Sequence, residues 1–306
     1  MAENILEKGS VLYTSGQPIS ALHLIASGKV VVSYPGGTYT LGKGDVIGVC
    51  EICSEVHFLT YTAAENTNLI TYPFSGITTL DTLLKKNADI ARLFILSACY
   101  QMNALLERCS VSELDCNSLY QSLLEDYEKY NQLSSRYRIT ARNLSNWEEL
   151  TAYLGEEAPD LWLSEYYMGL TRIYSGDTTK QIIQEAAVSS GLLRKCSLDF
   201  RKAYTVLEEQ DQYLQQLNSY YFNKSGNDLF DFYTNMYYKL GPDCKDSDDI
   251  YFTLNHIIMD FRNYGGPDSA LFEQRIDTFE QNISRLQTVG DNPVDSTEEV
   301  ELARNW

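Results

Sequence analysis

The chain predicts an α+β protein: an N-terminal antiparallel β-roll of jelly-roll type, then a long helix, then an all-α C-terminal domain. Three observations carry that expectation. Glycines recur between short apolar runs at Gly9, Gly16, Gly28, Gly44 and Gly48. A four-three apolar stripe begins at Ala91 and lasts more than six repeats. Beyond Gly155 the residues read as helical runs separated by Gly, Pro and Asp breaks. The expected boundaries are 1–110 for the roll, 111–140 for the connecting helix, 141–290 for the all-α domain and 291–306 for an acidic tail.

The strands come first. Gly9 sits in Glu-Lys-Gly-Ser-Val-Leu-Tyr, Gly16 in Tyr-Thr-Ser-Gly-Gln-Pro and Gly28 in Ala-Ser-Gly-Lys-Val-Val-Val, while Gly44-Asp45 precedes Val46-Ile47-Gly48. Each marks a point where an alternating apolar segment must turn, and glycine reaches positive φ without a Cβ penalty. Short strands punctuated at this rhythm suit a roll. In the order Lys-Gly, Ser-Gly, Ser-Gly-Lys-Val and Leu-x-x-Gly-Asp-x-x-Gly, the motifs resemble the cyclic-nucleotide-binding sensor domain of the Crp/Fnr superfamily. The resemblance covers roughly residues 5 to 110, a third of the chain.

That resemblance implies a phosphate-binding cassette after the Gly-Asp turn: an apolar residue, Gly-Glu, an Arg about ten residues on, and a run of small residues. A cyclic phosphate needs main-chain N–H groups at a helix start and a guanidinium that forks onto its oxygens. Here Ile47-Gly48 match, but Val49 stands at the Glu position and Phe58 at the Arg position, followed by Leu59-Thr60. Glu51 and Glu55 make the local charge negative, and no Lys or Arg occurs between Lys43 and Lys85. The helix after the cassette opens at Asn87-Ala88-Asp89-Ile90, and the polar pair that would reach a purine falls near Leu105-Leu106. Phosphate, ribose and base contacts are all missing together. The expected pocket, formed by Gly48, Val49, Glu51, Phe58, Leu59, Thr60, Leu105 and Leu106, is therefore vestigial, or retuned for something apolar or uncharged.

Charge narrows the partners. The formal charge is −18; residues 1–110 carry 7 basic and 9 acidic side chains, and the remainder 17 and 33. So acidic a second half repels nucleic acid and anionic lipid heads. The stretch Ile182–Lys195 has a faint helix-turn-helix look but no basic recognition helix after it. No basic leader and no apolar run of membrane-spanning length is present, so the expected location is cytoplasmic with no membrane contact. Seven cysteines at irregular spacings fit reduced thiols. Cys50-x-x-Cys53 reads mainly as core packing, with a redox switch or half a metal site as its functional alternative.

The stripe from Ala91 runs through Ile95, Ala98, Met102, Leu105, Cys109, Ser112, Cys116, Leu119, Leu123, Asp126, Tyr130, Leu133 and Tyr137. No Gly or Pro interrupts the chain between Gly76 and Gly155. A heptad seam wants a partner. The resemblance implies a twin chain, making a homodimer through Ile95, Ala98, Met102, Leu105 and Cys109. Alternatively the helix breaks near Ser110–Glu113, with Ser112 capping a second helix that folds back. Beyond Gly155, Pro159-Asp160 opens a helical run, Ser175-Gly176-Asp177 breaks it, and a long run from Leu192 to Phe222 follows. Gly226, Gly241-Pro242 and Gly265-Gly266-Pro267 divide the later helices. The paired tyrosines Tyr166-Tyr167, Tyr220-Tyr221 and Tyr237-Tyr238 read as half-buried boundary residues, with a protein-binding groove as the alternative. The tail ends on Val300–Trp306, which reads like the start of another helix, as in one piece of a longer polypeptide.

A search for catalytic chemistry yields nothing. His23, His57 and His256 fall in no metal-ligand spacing, and phosphate-loop and dinucleotide-binding motifs are absent. His57 reads as a satisfied surface or loop histidine. Asp243, Asp246, Asp248 and Asp249 lack the glycine and closing Glu of a calcium loop, and read as an acidic helix start. The expectation is a protein without catalytic residues, metal or cofactor. Three functions fit: a regulatory protein whose roll has lost cyclic-nucleotide binding, a cyclic-nucleotide sensor with an unusual cassette, or a dimeric scaffold whose α-domain grips a protein partner.

Overall fold

The computed structural model describes residues 2–140, 161–176, 188–223, 229–265 and 270–290. Eight strands come first: β1 (Ala2–Leu6), β2 (Val11–Tyr13), β3 (Ala21–Ser27), β4 (Val30–Tyr34), β5 (Gly37–Leu41), β6 (Val46–Ile47), β7 (Thr60–Ala63) and β8 (Thr67–Pro73). All pairings are antiparallel, in two four-stranded sheets ordered β1-β8-β3-β6 and β2-β7-β4-β5. Period-two alternation sets the inner face. Val30 and Val32 are fully buried, and three of their four cross-strand partners, Leu41, Tyr61 and Ala63, are buried as well, the fourth, Tyr39, being half-buried like Val31 and Thr62. The α+β class read from the glycine rhythm is the observed one.

The turn between β3 and β4 shows why glycine is required. Gly28 has φ +93°, and a Cβ there would stand 2.5 Å from Thr67 Oγ1 and 2.7 Å from the Asn66 carbonyl oxygen. Neither the backbone conformation nor the space admits a side chain.

Helices follow: α1 (Ile77–Lys86), α2 (Ala88–Arg136), α3 (Leu161–Ser175), α4 (Val188–Asn218), α5 (Leu229–Leu240), α6 (Ser247–Tyr264) and α7 (Ala270–Gly290). Asn87 starts α2 by accepting the main-chain N–H groups of Asp89 (3.0 Å) and Ile90 (3.2 Å) on Oδ1. Of the two readings of the serines near 110, continuity is the one observed: α2 runs unbroken for 49 residues. Ser110 donates its hydroxyl back to the Leu106 carbonyl (3.2 Å), so it competes for no turn, and Ser112 is buried in the helix. Val188–Asn218 is likewise one helix containing Gly191, so the faint helix-turn-helix has no turn there.

The chain divides into two compact units. One combines Met1–Glu113 with Gly155–Asp211, and the other Leu114–Leu154 with Gln212–Trp306. This differs from boundaries at 110 and 141, because α3 and the first part of α4 share the roll's core. Tyr167, Phe200, Ala203 and Leu207 belong to one buried cluster with Val30, Leu59 and Met102. In the second unit Leu119, Leu123 and Tyr130 of α2 pack with Tyr233, Leu254 and Phe272. A fully buried side chain of this size stabilises by about 1.5–3 kcal/mol. Tyr167, Tyr220 and Tyr221 are buried more deeply than boundary residues, whereas Tyr237 and Tyr238 are half-buried. The Tyr167 hydroxyl donates to Asp199 Oδ2 (2.8 Å), and that of Tyr221 to Asp126 Oδ2. The acidic run does open α6, with Asp248 and Asp249 in its first turn. Asp246 accepts instead from Arg136 and from the Tyr137 hydroxyl, both at 2.6 Å. The opening at Pro159-Asp160, the breaks at Gly226 and Gly266-Pro267, and the tail 291–306 lie outside the described residues.

Two predictions arise. Gly28→Ala should lower the stability of the first unit by about 2–3 kcal/mol, from left-handed strain plus overpacking; an unchanged urea midpoint would contradict the turn geometry. In the second unit Asp126 is 1% exposed. Burial pushes its carboxyl from 3.8 up to about 6, opposed by the Tyr221 hydrogen bond and the charges of His256 and Lys129, with Asp260 adding to the rise. The folded form thus holds the extra proton between those values, and this unit loses about 3 kcal/mol as pH rises from below 4 to above 6. Asp126→Asn should flatten that slope. Exchange-derived stabilities of the α6 amides at pH 4.5 and 7 test this, and identical slopes in both proteins would count against it.

Candidate functional site

The cassette lies between β6 and β7. Gly48, at φ +81°, caps a three-residue 3-10 turn, Val49–Glu51, with the Glu51 N–H bonded to the Gly48 carbonyl at 3.1 Å. The following loop is pinned by main-chain bonds to the turn before β3: His57 N–H to the Gln17 carbonyl (2.8 Å) and Gly16 N–H to the His57 carbonyl (2.7 Å). These constraints turn the Glu51 side chain inward. It is 0% exposed.

Four donors meet its carboxylate. The main-chain N–H groups of Phe58 (2.7 Å) and Leu59 (3.0 Å) donate to Oε1. The Tyr61 hydroxyl and His57 Nδ1 meet Oε2, each at 2.7 Å. An ionised carboxylate can only accept, so it is the imidazole that donates. Burial, reinforced by Glu51, pushes the Tyr61 hydroxyl well above its usual range, which keeps its proton available. His57 is 0% exposed, and its Nε2 has no hydrogen-bond partner. Its ring stacks on Tyr13, centroids 4.2 Å apart, and the Tyr13 hydroxyl lies 2.7 Å from His23 Nε2. His23 also meets Thr71 Oγ1 at 3.0 Å; burial, with His57 adding to it, lowers its pKa to about 4.

The N-terminal half of α4 covers the cassette within the same unit. The Phe58 ring packs on Tyr204 (4.7 Å) and Phe200 (6.1 Å), and the Tyr204 hydroxyl donates to the Phe58 carbonyl (3.3 Å). The Cys53 N–H donates to Ser197 Oγ (3.1 Å). A distant cation does reach the neighbourhood: the exposed Arg201 guanidinium stands 4.7 Å from the Phe58 ring centroid. It lies on the ring's face and does not enter the carboxylate seat. The heavy atoms nearest to a Cβ built on Gly48 are Leu22 Cδ2 (3.2 Å), His57 Cε1 (3.4 Å) and the Ala21 carbonyl oxygen.

The residues expected at the pocket are thus gathered into one core. Val49, Glu51, Phe58, Leu59, Leu105 and Leu106 are all buried, while Thr60 at the start of β7 is half-buried and accepts from the Ser15 N–H (3.4 Å). The residues expected at a dimer interface, Ile95, Ala98, Met102, Leu105 and Cys109, are at most 1% exposed within the single chain. The seam's partner is supplied in cis, by the roll and the α3–α4 layer. Glu51 was expected in the pocket, as a local negative charge, and His57 as a satisfied surface or loop histidine. Both are sealed inside, and the contributions of Tyr61 and Tyr13 were not read at all. No spacing rule signals this arrangement, because the donors converge through a turn and a strand register. Among the described residues, no group of three or more His, Cys, Asp or Glu side chains is arranged to hold a metal ion. Likewise, none of their helices is long and apolar enough to cross a membrane.

No known family profile matches the chain, and no curated relative does. Solved structures are similar over about a third of it. They include a cAMP-binding acyltransferase from Mycobacterium smegmatis, at 24% identity over 34% of this chain and 33% of that one (TM-score 0.29). Others are the regulatory subunit of a cAMP-independent protein kinase A from Trypanosoma brucei (17%, 29% and 38%, 0.24) and the sensor domain of the transcriptional regulator DNR from Pseudomonas aeruginosa (16%, 28% and 69%, 0.22). The chain therefore spans only about a third of the acyltransferase's length.

The thiols of the cassette separate by access. Cys53 is exposed and meets the Arg194 carbonyl at 3.7 Å, whereas Cys50 is buried, and burial raises its thiol well above the usual range. Burial likewise pushes Cys99 and Cys109 up to about 12. A thiol reagent added to the native protein should modify Cys53 first and Cys50 only on unfolding. Equal rates for the two would revive a Cys50–Cys53 switch.

Proposed function

We propose that the chain is a non-catalytic regulatory protein in which a cyclic-nucleotide-binding-like roll no longer takes a cyclic nucleotide and serves as a fixed platform for its helical regions. One observation carries this reading. The N–H groups of Phe58 and Leu59, at the positions where the resemblance implies an arginine and the small residue after it, are already saturated by the Glu51 carboxylate. A phosphate diester entering here meets a buried negative charge where it needs a positive one. The bare Coulomb repulsion between two unit charges 4 Å apart is about 4 kcal/mol even at an effective dielectric of 20. The ring of Phe58, backed by Tyr204 and Phe200, fills the space on the α4 side.

In this reading the signal is passed through protein contacts. The acidic helical regions take a protein partner, and any pairing of two copies through α2 uses a side other than the buried seam. Tyr100, Val111 and Leu114 are the exposed large apolar side chains of that helix. A second reading rests on Arg201, whose position over Phe58 is the one observation favouring a sensor with an atypical cassette. Calorimetry with cyclic AMP and cyclic GMP separates the two. The first reading expects no binding heat up to about 1 mM ligand, an affinity no better than about −4 kcal/mol. Micromolar binding that Arg201→Ala abolishes would establish the second.

A further inference from the structure

We propose that Glu51 is a tethered ligand: its carboxylate occupies an oxyanion seat that, once the side chain is removed, accepts a free small carboxylate such as formate. This rests on the reading that the roll takes no cyclic nucleotide, and it specifies what fills the cassette instead.

The seat has the features of a built anion site. Two successive main-chain N–H groups, of Phe58 and Leu59, converge on one oxygen, and a phenol and an imidazole converge on the other. Together they match the acceptor capacity of one carboxylate. Glu51, His57, Leu59 and Tyr61 are all 0% exposed. Toward Glu51 all four groups act as donors, so the seat favours an ionised oxyanion over a carboxamide, whose NH2 would oblige the Tyr61 hydroxyl and His57 Nδ1 to turn from donor to acceptor. The tether is short. Gly48 in its left-handed conformation and the turn Val49–Glu51 bring the side chain from the cassette's own first residues to the N–H groups at its end. The loop is thereby tied across its full span by an anion that never dissociates. An exchangeable ligand would hold this seat only while bound; Glu51 holds it continuously, so the cassette has one state and any signal must arise elsewhere in the chain.

The test is thermal unfolding of the full chain in sodium formate and in sodium chloride of equal ionic strength. Glu51→Ala should lower Tm by roughly 6–12 °C in chloride and recover at least half of that loss in formate, while wild type unfolds at the same temperature in both salts. Glu51→Gln, which fills the seat but reverses one donor pair, should also unfold below wild type and gain nothing from formate. The proposal is overturned if formate raises the Tm of Glu51→Ala no more than that of wild type. It is equally overturned if Glu51→Gln matches wild type. Should Glu51→Ala fail to fold in either salt, the Gln variant decides: a lowered Tm supports the tethered ligand and an unchanged one removes it. The two readings fail separately, since cyclic-nucleotide heat with wild type sinks the functional one and absent rescue sinks this one.

Discussion

A carboxylate sealed from water can persist only if its surroundings replace the water, and the loop from Gly48 to Leu59 is organised around that requirement. Taking a carboxylate into the interior costs several kcal/mol. Hydrogen bonds to a charged group return about 1.5–3 kcal/mol each. Glu51 receives four, two of them from consecutive main-chain N–H groups. The balance narrows with each bond that is lost. Loss of any one leaves a buried charge short of a donor, so the loop, the start of β7 and the stacked pair Tyr13 and His57 stand or fall together.

The same constraint explains why part of the helical region belongs to the roll. Phe58 has its N–H turned toward Glu51 and its ring turned toward α4, where Phe200 and Tyr204 cover it. The Phe58 carbonyl is in turn capped by the Tyr204 hydroxyl. One residue thus joins the polar seat to the apolar layer. The stripe on α2 follows the same logic. Residues with the spacing of a two-chain seam are consumed by the chain's own sheets and helices, which leaves a different side of the helix for any outside contact.

Much of the architecture could be read from local chemistry. Gly9, Gly16, Gly28, Gly44 and Gly48 all have positive φ, as turn chemistry demands, and the stripe from Ala91 marks a buried helix face. Periodicity reveals that a face is covered but not by what, which is why the seam suggested a twin chain when Ile95 to Cys109 pack in one cluster with residues of the roll, α3 and α4. The serines near 110 could start a helix or sit within one; back-bonding of Ser110 to Leu106 decided the matter. At the site, the absence of a cation at Phe58 is plain in the sequence. The presence of an internal anion is not, since it depends on a left-handed glycine, a single 3-10 turn and the register of β7. The burial of His57 is hidden for the same reason: nothing in its neighbours along the chain shows that it faces Glu51.

Amide hydrogen exchange at Phe58 and Leu59 in the wild-type protein probes the seat most directly. If Glu51 accepts both N–H groups in a sealed interior, these two amides exchange as slowly as those of the central strands β4 and β7, through unfolding of the whole unit. If they exchange at the rate of open loop amides while β4 and β7 remain protected, the carboxylate is not seated there and the cassette is not self-occupied.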